Sequence, residues 1–182
     1  MKSFLAAGIC AVSVLLGAQN QTIQHFSATA VNVSGAPDPL KIDLLRWSTE
    51  TERDQVVAAF DKGEKEFAAQ LAKEPTLGYV WTSESAGYTV RYAYRIAGAD
   101  GSQRVVVVAE KPLGSWNPQI WQPTGNAKGN SYDFTVLELH LRRGAAGEGK
   151  SSLFAKVTVD KTARTIALDG YAAAPVVLKD VK

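Results

Sequence analysis

Three stretches of the sequence carry residue types that could do chemistry, and the most conspicuous resembles a nucleotide-binding loop. Residues 144–151 read Gly-Ala-Ala-Gly-Glu-Gly-Lys-Ser, which has the glycine, lysine and serine spacing of a P-loop. A P-loop binds phosphates through free backbone N–H groups at the start of a following helix. Residues 153–159 instead alternate and are rich in β-branched side chains, which predicts a strand. We therefore interpret 144–151 as a glycine-rich hairpin turn and expect no nucleotide cofactor.

The second stretch contains Glu138 and His140, two residues apart in a segment that alternates like a strand, so their side chains should share a face. Such a pair could be an acid–base couple or part of a metal site. A metal site normally has three or more protein ligands, and His25 is the only other histidine. We expect an ordinary polar outer face opposite Leu137, Leu139 and Leu141, with no metal site and no catalytic role.

The third stretch is aromatic, because Trp116 and Trp121 lie in a segment rich in Pro and Gly, GSWNPQIWQPTGN. Exposed aromatic rings beside amide side chains suit a sugar or an extended peptide. Our candidate ligand-binding residues are therefore Trp116, Trp121, Asn117 and Gln122. The alternative is that both rings are buried struts and the loop binds nothing. Disordered tracts are poor in aromatics, so we expect at least one of the two Trp residues to pack on the sheet.

The elements that must position these residues are mostly strands. Alternation predicts strands near 26–31, 40–47, 79–82, 88–96, 105–108, 135–141, 153–159 and 165–168. Between them, Thr49 with Glu52 forms a capping-box pattern, and residues 49–73 show a helical period. Short connections require antiparallel pairing. The predicted fold class is α+β, with about eight antiparallel strands in a curled sheet or incomplete barrel and a two-helix segment near 49–73.

One predicted strand carries an aromatic stripe. In residues 88–96, Tyr88, Tyr92 and Tyr94 alternate with Arg91 and Arg95. Strict alternation would place the three tyrosines on one face and the two arginines on the other, unless a bulge intervenes. The tyrosine face is expected to belong to the ordinary β core.

The N-terminus has the pattern of a signal peptide. Lys2 precedes an apolar run from Phe4 to Leu16, and Ala18 offers a small residue at a cleavage point. The run is shorter than the ~20 apolar residues of a membrane-spanning helix. We expect residues 1–18 to be removed, with Gln19 the mature N-terminus, followed by a single domain over 19–182 with no transmembrane segment. This predicts an exported protein, in the periplasm or outside the cell.

Composition excludes several function classes. Cys10, the only cysteine, would leave with the signal peptide, which removes disulfides, cysteine nucleophiles and thiolate metal sites. Without Lys2, 19 basic side chains face 18 acidic ones, a net charge of +1 that gives no case for nucleic-acid binding. The sequence also has no Gly-x-Ser-x-Gly elbow and no carboxylate pair typical of glycosidases.

Several segments together resemble an uncharacterised family of small exported bacterial proteins. They are residues 46–53 (RWSTETER), 78–79, 87–93 (GYTVRYA), 111–116 (KPLGSW), 134–139 (FTVLEL) and 147–150. The resemblance covers nearly the whole mature chain and implies a bacterial envelope or secreted protein without implying a chemistry. We expect a non-catalytic ligand-binding or envelope-accessory domain, with a small molecule, sugar or extended peptide as partner. The alternatives are a small hydrolase with an unrecognised site and, third, an assembly role.

Overall fold

The alternating segments assemble into a closed eight-stranded antiparallel barrel in a computed structural model, which describes residues 23–125 and 128–182. The strands are β1 (Gln24–Ala30), β2 (Asp38–Leu44), β3 (Gly78–Trp81), β4 (Tyr88–Ala97), β5 (Gln103–Ala109), β6 (Thr135–Arg142), β7 (Ala145–Ser151), β8 (Val157–Asp160), β9 (Thr165–Leu168) and β10 (Leu178–Val181). Around the barrel they follow the order β1-β10-β7-β6-β5-β4-β3-β2. Strands β8 and β9 form a separate hairpin. The predicted fold class is confirmed, and the barrel is complete because β10 pairs with both β1 and β7.

Two helices connect β2 to β3, as the helical period of residues 49–73 predicts. Helix α1 spans Glu50–Phe60 and α2 spans Glu64–Leu71. The capping box is formed in full: Thr49 Oγ1 accepts from the Glu52 backbone N–H, and a Glu52 carboxylate oxygen accepts from the Thr49 N–H. These bonds satisfy N–H groups that a helix N-terminus leaves without partners. In the part of the chain that the structure describes, neither helix is long and apolar enough to cross a membrane.

Glu52 also anchors the helix entry through a paired ionic contact with Arg46, at 2.8 and 2.7 Å. These hydrogen bonds lower the pKa of the Glu52 carboxyl to about 2. A carboxyl with a lowered folded-state pKa stabilises the fold above its unfolded pKa, and that contribution is lost as the pH falls toward the folded value. We predict that Glu52→Gln lowers the free energy of unfolding by about 1–2 kcal/mol at pH 7. The difference should vanish between about pH 4 and pH 2.

Urea unfolding of both proteins across that pH range checks this expectation. Glu64→Gln is the matched control, because Glu64 is an exposed acidic residue in the first turn of α2 with no such arginine. A Glu52→Gln effect that stays constant from pH 7 to pH 2 would contradict the role of the carboxylate.

The barrel interior is filled by apolar side chains. Inward side chains of every barrel strand except β7 form one cluster that includes Leu40, Ile42, Val80, Val90, Val107, Leu139 and Leu178, with Phe26 and Ala28 of β1 only partly buried. These apolar side chains occupy the interior, so we expect a ligand to bind on the outside of the barrel.

The aromatic stripe of β4 is split by a bulge. Val90 pairs with Ala109 and Tyr92 with Val108, so Arg91 is an extra residue. Tyr88 packs in the barrel interior, whereas Tyr92 packs in a second core outside the barrel. The expectation that Tyr88, Tyr92 and Tyr94 share one face is therefore wrong, because an extra residue shifts the alternation.

The second core lies between the barrel and the elements added to it. Tyr92, Val106, Val108 and Val136 project outward from β4, β5 and β6. Val56, Phe67 and Leu71 from the helices cover them on one side, and Val157, Ile166 and Leu168 from the β8–β9 hairpin cover them on the other. The outer surfaces of β4, β5 and β6 are thus enclosed, whereas the outer surface of β1, β2 and β3 is uncovered, as is that of the neighbouring β10, where Lys179 and Asp180 are exposed.

Candidate functional site

The outward side chains of β1, β2 and β3 form an uncovered surface, here called the open face. Strand register aligns them in rows: His25, Asp43 and Tyr79 form one row, and Ser27, Lys41 and Trp81 form the next. Their neighbours Ile42 and Val80 point into the barrel and are almost fully buried. Alternation therefore directs the six residues outward together.

Two aromatic rings stand side by side on the open face. Tyr79 and Trp81 are two residues apart on β3, and their ring centroids are 5.6 Å apart with planes inclined by 42°. Tyr79 is 39% exposed, which is high for a large aromatic residue in a strand. The two rings provide an apolar surface in contact with solvent.

The Trp81 ring lies against Gly87. The Gly87 backbone has φ +107°, and a Cβ added there would lie 2.9 Å from Trp81 Nε1. The indole thus lies directly against a backbone position that only glycine fills without strain. A side chain at residue 87 would therefore displace the ring.

Polar groups surround the rings. His25 Nδ1 and Asp43 Oδ1 are 2.7 Å apart, and the Lys41 ammonium is carried on the adjacent row. A surface depression of about 430 Å³ lies along Lys41, Asp43 and Trp81, and a second one of about 480 Å³ shares Lys41 and Asp43 with it and reaches His25. The open face therefore has two shallow depressions and carries hydrogen-bond donors and acceptors beside its apolar centre.

Thr82 is a buried polar residue beside the smaller of these two depressions. The residue belongs to the lining but is only 6% exposed. Among the described residues, its Oγ1 has no hydrogen-bond partner, and a buried hydroxyl without a partner costs about 1–3 kcal/mol. Because this oxygen is shielded from solvent, a ligand in the depression would not reach it.

Sequence reasoning missed this surface. Tyr79 and Trp81 flank Val80, and this alternation already indicates that both rings leave β3 on the same side. An aromatic pair on a strand is more often core than surface. Only the positions of the helices and of the β8–β9 hairpin show that this side of β3 is uncovered.

The two predicted tryptophans of the loop 114–125 behave differently. Trp121 is 2% exposed, packs with the barrel core and donates from Nε1 to Asp38 Oδ2 at 3.2 Å. Trp116 is 56% exposed, with the Lys111 ammonium 6.0 Å from its ring centroid. The expectation that at least one Trp anchors the loop is confirmed, and the buried Trp121 belongs to the core instead of to a ligand surface.

The predicted amides of this loop have local roles. Asn117 Oδ1 accepts from the backbone N–H of Gln119 at 3.0 Å, which fixes a turn. The Gln122 backbone N–H donates to Ser34 Oγ at 2.9 Å and its carbonyl accepts from Ser34 N–H, while the Gln122 side chain is exposed. The surface of this loop thus retains Trp116, Asn117 and Gln122. The Trp116 ring is not partially enclosed, whereas the Trp81 ring is.

Glu138 is not on a polar outer face, which corrects the sequence-based expectation. It does project from the barrel opposite Leu137 and Leu139, but the β8–β9 hairpin covers it and only 2% of it is exposed. One carboxylate oxygen accepts from the Leu168 backbone N–H at 3.0 Å, and the other lies 3.1 Å from His140 Nε2. The pair therefore fastens the hairpin to the barrel.

His140 and Lys150 complete the same attachment. The His140 ring stacks on Tyr171, with centroids 4.3 Å apart and planes inclined by 10°. Lys150 is 5% exposed, and its ammonium donates to the backbone carbonyls of Tyr171 and Ala174. Burial is the main cause that raises the pKa of the Tyr171 phenol, with the Glu138 carboxylate adding to it. We refer to Glu138, His140, Lys150 and Tyr171 as the hairpin clasp.

The P-loop-like stretch is itself a strand. Residues Ala145–Ser151 are β7, which pairs with β6 and β10, so only Gly144 lies in the turn. The interpretation of the whole stretch as a turn was wrong in this respect. Its backbone N–H groups belong to a sheet, and the Lys150 ammonium points to protein carbonyls. Neither feature resembles a phosphate-binding loop.

Comparisons with known proteins add nothing to this geometry: no family model matches the chain, and neither the curated proteins nor the solved structures include a significant match.

Within residues 23–125 and 128–182, His, Asp and Glu side chains form no group of three suited to a metal ion. The predicted signal peptide, residues 1–18, lies outside the described residues.

Proposed function

We propose that this chain is an exported bacterial ligand-binding domain that works without catalysis and binds its ligand on the open face. The observation that carries the proposal is the Tyr79–Trp81 pair on an uncovered region of sheet, with Tyr79 exposed, Trp81 half-buried and polar groups around them. Tyr and Trp are enriched at interaction surfaces. The apolar side chains that occupy the barrel interior favour an outer surface as the place for a ligand.

The export part of the proposal rests on the N-terminal pattern of Lys2, the apolar run 4–16 and Ala18. We expect the protein expressed in a bacterial host to be recovered from the periplasm or medium with Gln19 as its first residue. N-terminal sequencing of the fractionated protein checks this. A chain that remains in the cytoplasm and begins at Met1 would contradict export.

Binding on the open face is tested by nuclear magnetic resonance on the ¹⁵N-labelled protein. We expect soluble oligosaccharides or unstructured peptides, added as separate pools, to shift the amide signals of β1, β2 and β3, including Lys41, Asp43 and Trp81. The added compounds should be recovered intact. Shifts confined to the loop around Trp116, or to the hairpin clasp, would place the site elsewhere. Breakdown of an added compound would favour the hydrolase alternative.

A further inference from the structure

Main-chain pairing cannot drive binding on the open face. An extended peptide commonly binds by adding a strand to a free sheet edge, where unpaired backbone groups are available. Each strand of the open face has a neighbour on both sides, because β1 pairs with β10 and β2, β2 with β1 and β3, and β3 with β2 and β4. Recognition on this surface therefore depends on side chains alone.

Those side chains suit a ligand with apolar faces and polar edges. Tyr79 and Trp81 offer two flat apolar surfaces whose 42° inclination follows a bent or twisted ligand better than a flat one. The His25–Asp43 pair and the Lys41 ammonium lie alongside the rings and provide both donors and acceptors. A pyranose ring has this character, since its C–H groups form an apolar face and its hydroxyls lie around the rim.

The extent of the surface indicates a chain of sugars. With ~3.4 Å per residue along a strand, β2 from Pro39 to Asp43 extends over about 14 Å, which is longer than a single pyranose ring. Lys41 and Lys182 lie with Asp43 in the lining of the second depression, so ligand hydroxyls meet both donors and acceptors there.

We infer that the open face binds a hexopyranose chain, with sugar rings stacked on Tyr79 and Trp81 and hydroxyls bonded to Asp43, His25 and Lys41. This inference rests on the proposed function and names its ligand class. Gly87 is a positioning residue in this scheme, because it allows the Trp81 ring to lie in its present orientation.

Isothermal titration calorimetry on the full chain tests the inference with four probes: cellohexaose, chitohexaose, laminarihexaose and maltohexaose. We expect saturable binding of at least one of them. Trp81→Ala and Tyr79→Ala should each weaken it at least tenfold, and Asp43→Asn about threefold or more. Trp116→Ala is the matched control, because it removes an exposed tryptophan outside the open face, and it should change affinity less than twofold.

Two further variants distinguish a loss of binding from a loss of folding. Trp81→Phe keeps an aromatic ring and should retain more affinity than Trp81→Ala. Gly87→Ala replaces none of the ligand-contacting residues but displaces the Trp81 indole, so it should weaken binding while the thermal unfolding of the protein remains cooperative. Equal affinity in the parent protein and Gly87→Ala would overturn the positioning role.

A pool of unstructured decapeptides separates this inference from the proposed function. Peptides that bind the open face and lose affinity in Trp81→Ala, with no binding of the four hexasaccharides, would overturn the sugar assignment and leave the proposed function standing. Sugars that bind but lose affinity only in Trp116→Ala would overturn the site. Failure of both probe classes to bind would overturn the proposed function as well.

Discussion

Replacing Trp121 by Ala should destabilise the protein by about 3–5 kcal/mol, the range for an emptied aromatic core site. The Trp121 ring is almost fully buried in the barrel core and covers one end of it. Its loss would leave a cavity lined by rigid neighbours. It would also remove the indole N–H from Asp38, which is itself only 4% exposed. A buried carboxylate that loses a donor adds to the destabilisation.

The control for this prediction lies five residues away along the chain. Trp116 is 56% exposed, and Trp116→Ala should change the free energy of unfolding by no more than about 0.5 kcal/mol. Trp121→Phe keeps most of the ring but cannot donate to Asp38, so it should fall between the two. Urea unfolding of the three variants measures these differences. Similar small effects at both tryptophans would show that the loop does not contribute to the core.

Replacing Lys150 by Met should lower the free energy of unfolding by about 2–4 kcal/mol. The substitution removes the ammonium group through which the hairpin clasp binds backbone carbonyls. The carbonyls of Tyr171 and Ala174 would then be left near an apolar side chain. Glu138, which pairs across the strands with Lys150, would remain buried beside one fewer positive group. The segment after β9 would consequently be held to the barrel less firmly.

Lys156→Met is the matched control, because Lys156 is an exposed lysine just before β8. We expect it to change stability by less than about 0.5 kcal/mol. Hydrogen exchange gives a local readout, since the Leu168 amide, which donates to Glu138, should lose protection in Lys150→Met before the barrel strands do. Equal stability of Lys150→Met and Lys156→Met would show that the lysine is not part of an attachment.

Some of the candidate site could be predicted from the sequence and some could not. The loop 114–131 was expected to hold an anchoring tryptophan, and the aromatic content was sufficient reason. Which ring is buried could not be predicted, because that depends on Asp38, which lies 83 residues away. The open face was not predicted, because Tyr79 and Trp81 have the pattern of core residues. Their exposure depends on where the helices and the β8–β9 hairpin pack, and among the described residues these elements cover other strands.

The burial of Glu138 could not be predicted from the sequence either, although here a residue expected to be exposed is buried. Its position opposite Leu137 and Leu139 was predicted correctly by alternation, but alternation assigns a face and not the environment of that face. The β8–β9 hairpin turns the outer surface of β6 into a second core, so a carboxylate that the sequence places outside becomes buried.

The sequence by itself determined the α+β class, the antiparallel pairing, the capped helix at Thr49 and the strand faces of residues 135–141, because these follow from local periodicity and short connections. Tertiary structure decided the closure of the barrel, the bulge at Arg91 and the division of its outer surface into a covered half and the open face. These depend on contacts between residues far apart in the chain, such as β1 with β10 and β6 with β9. Local pattern carries no information about such contacts, because the same alternating strand is stable whether another element covers it or solvent does.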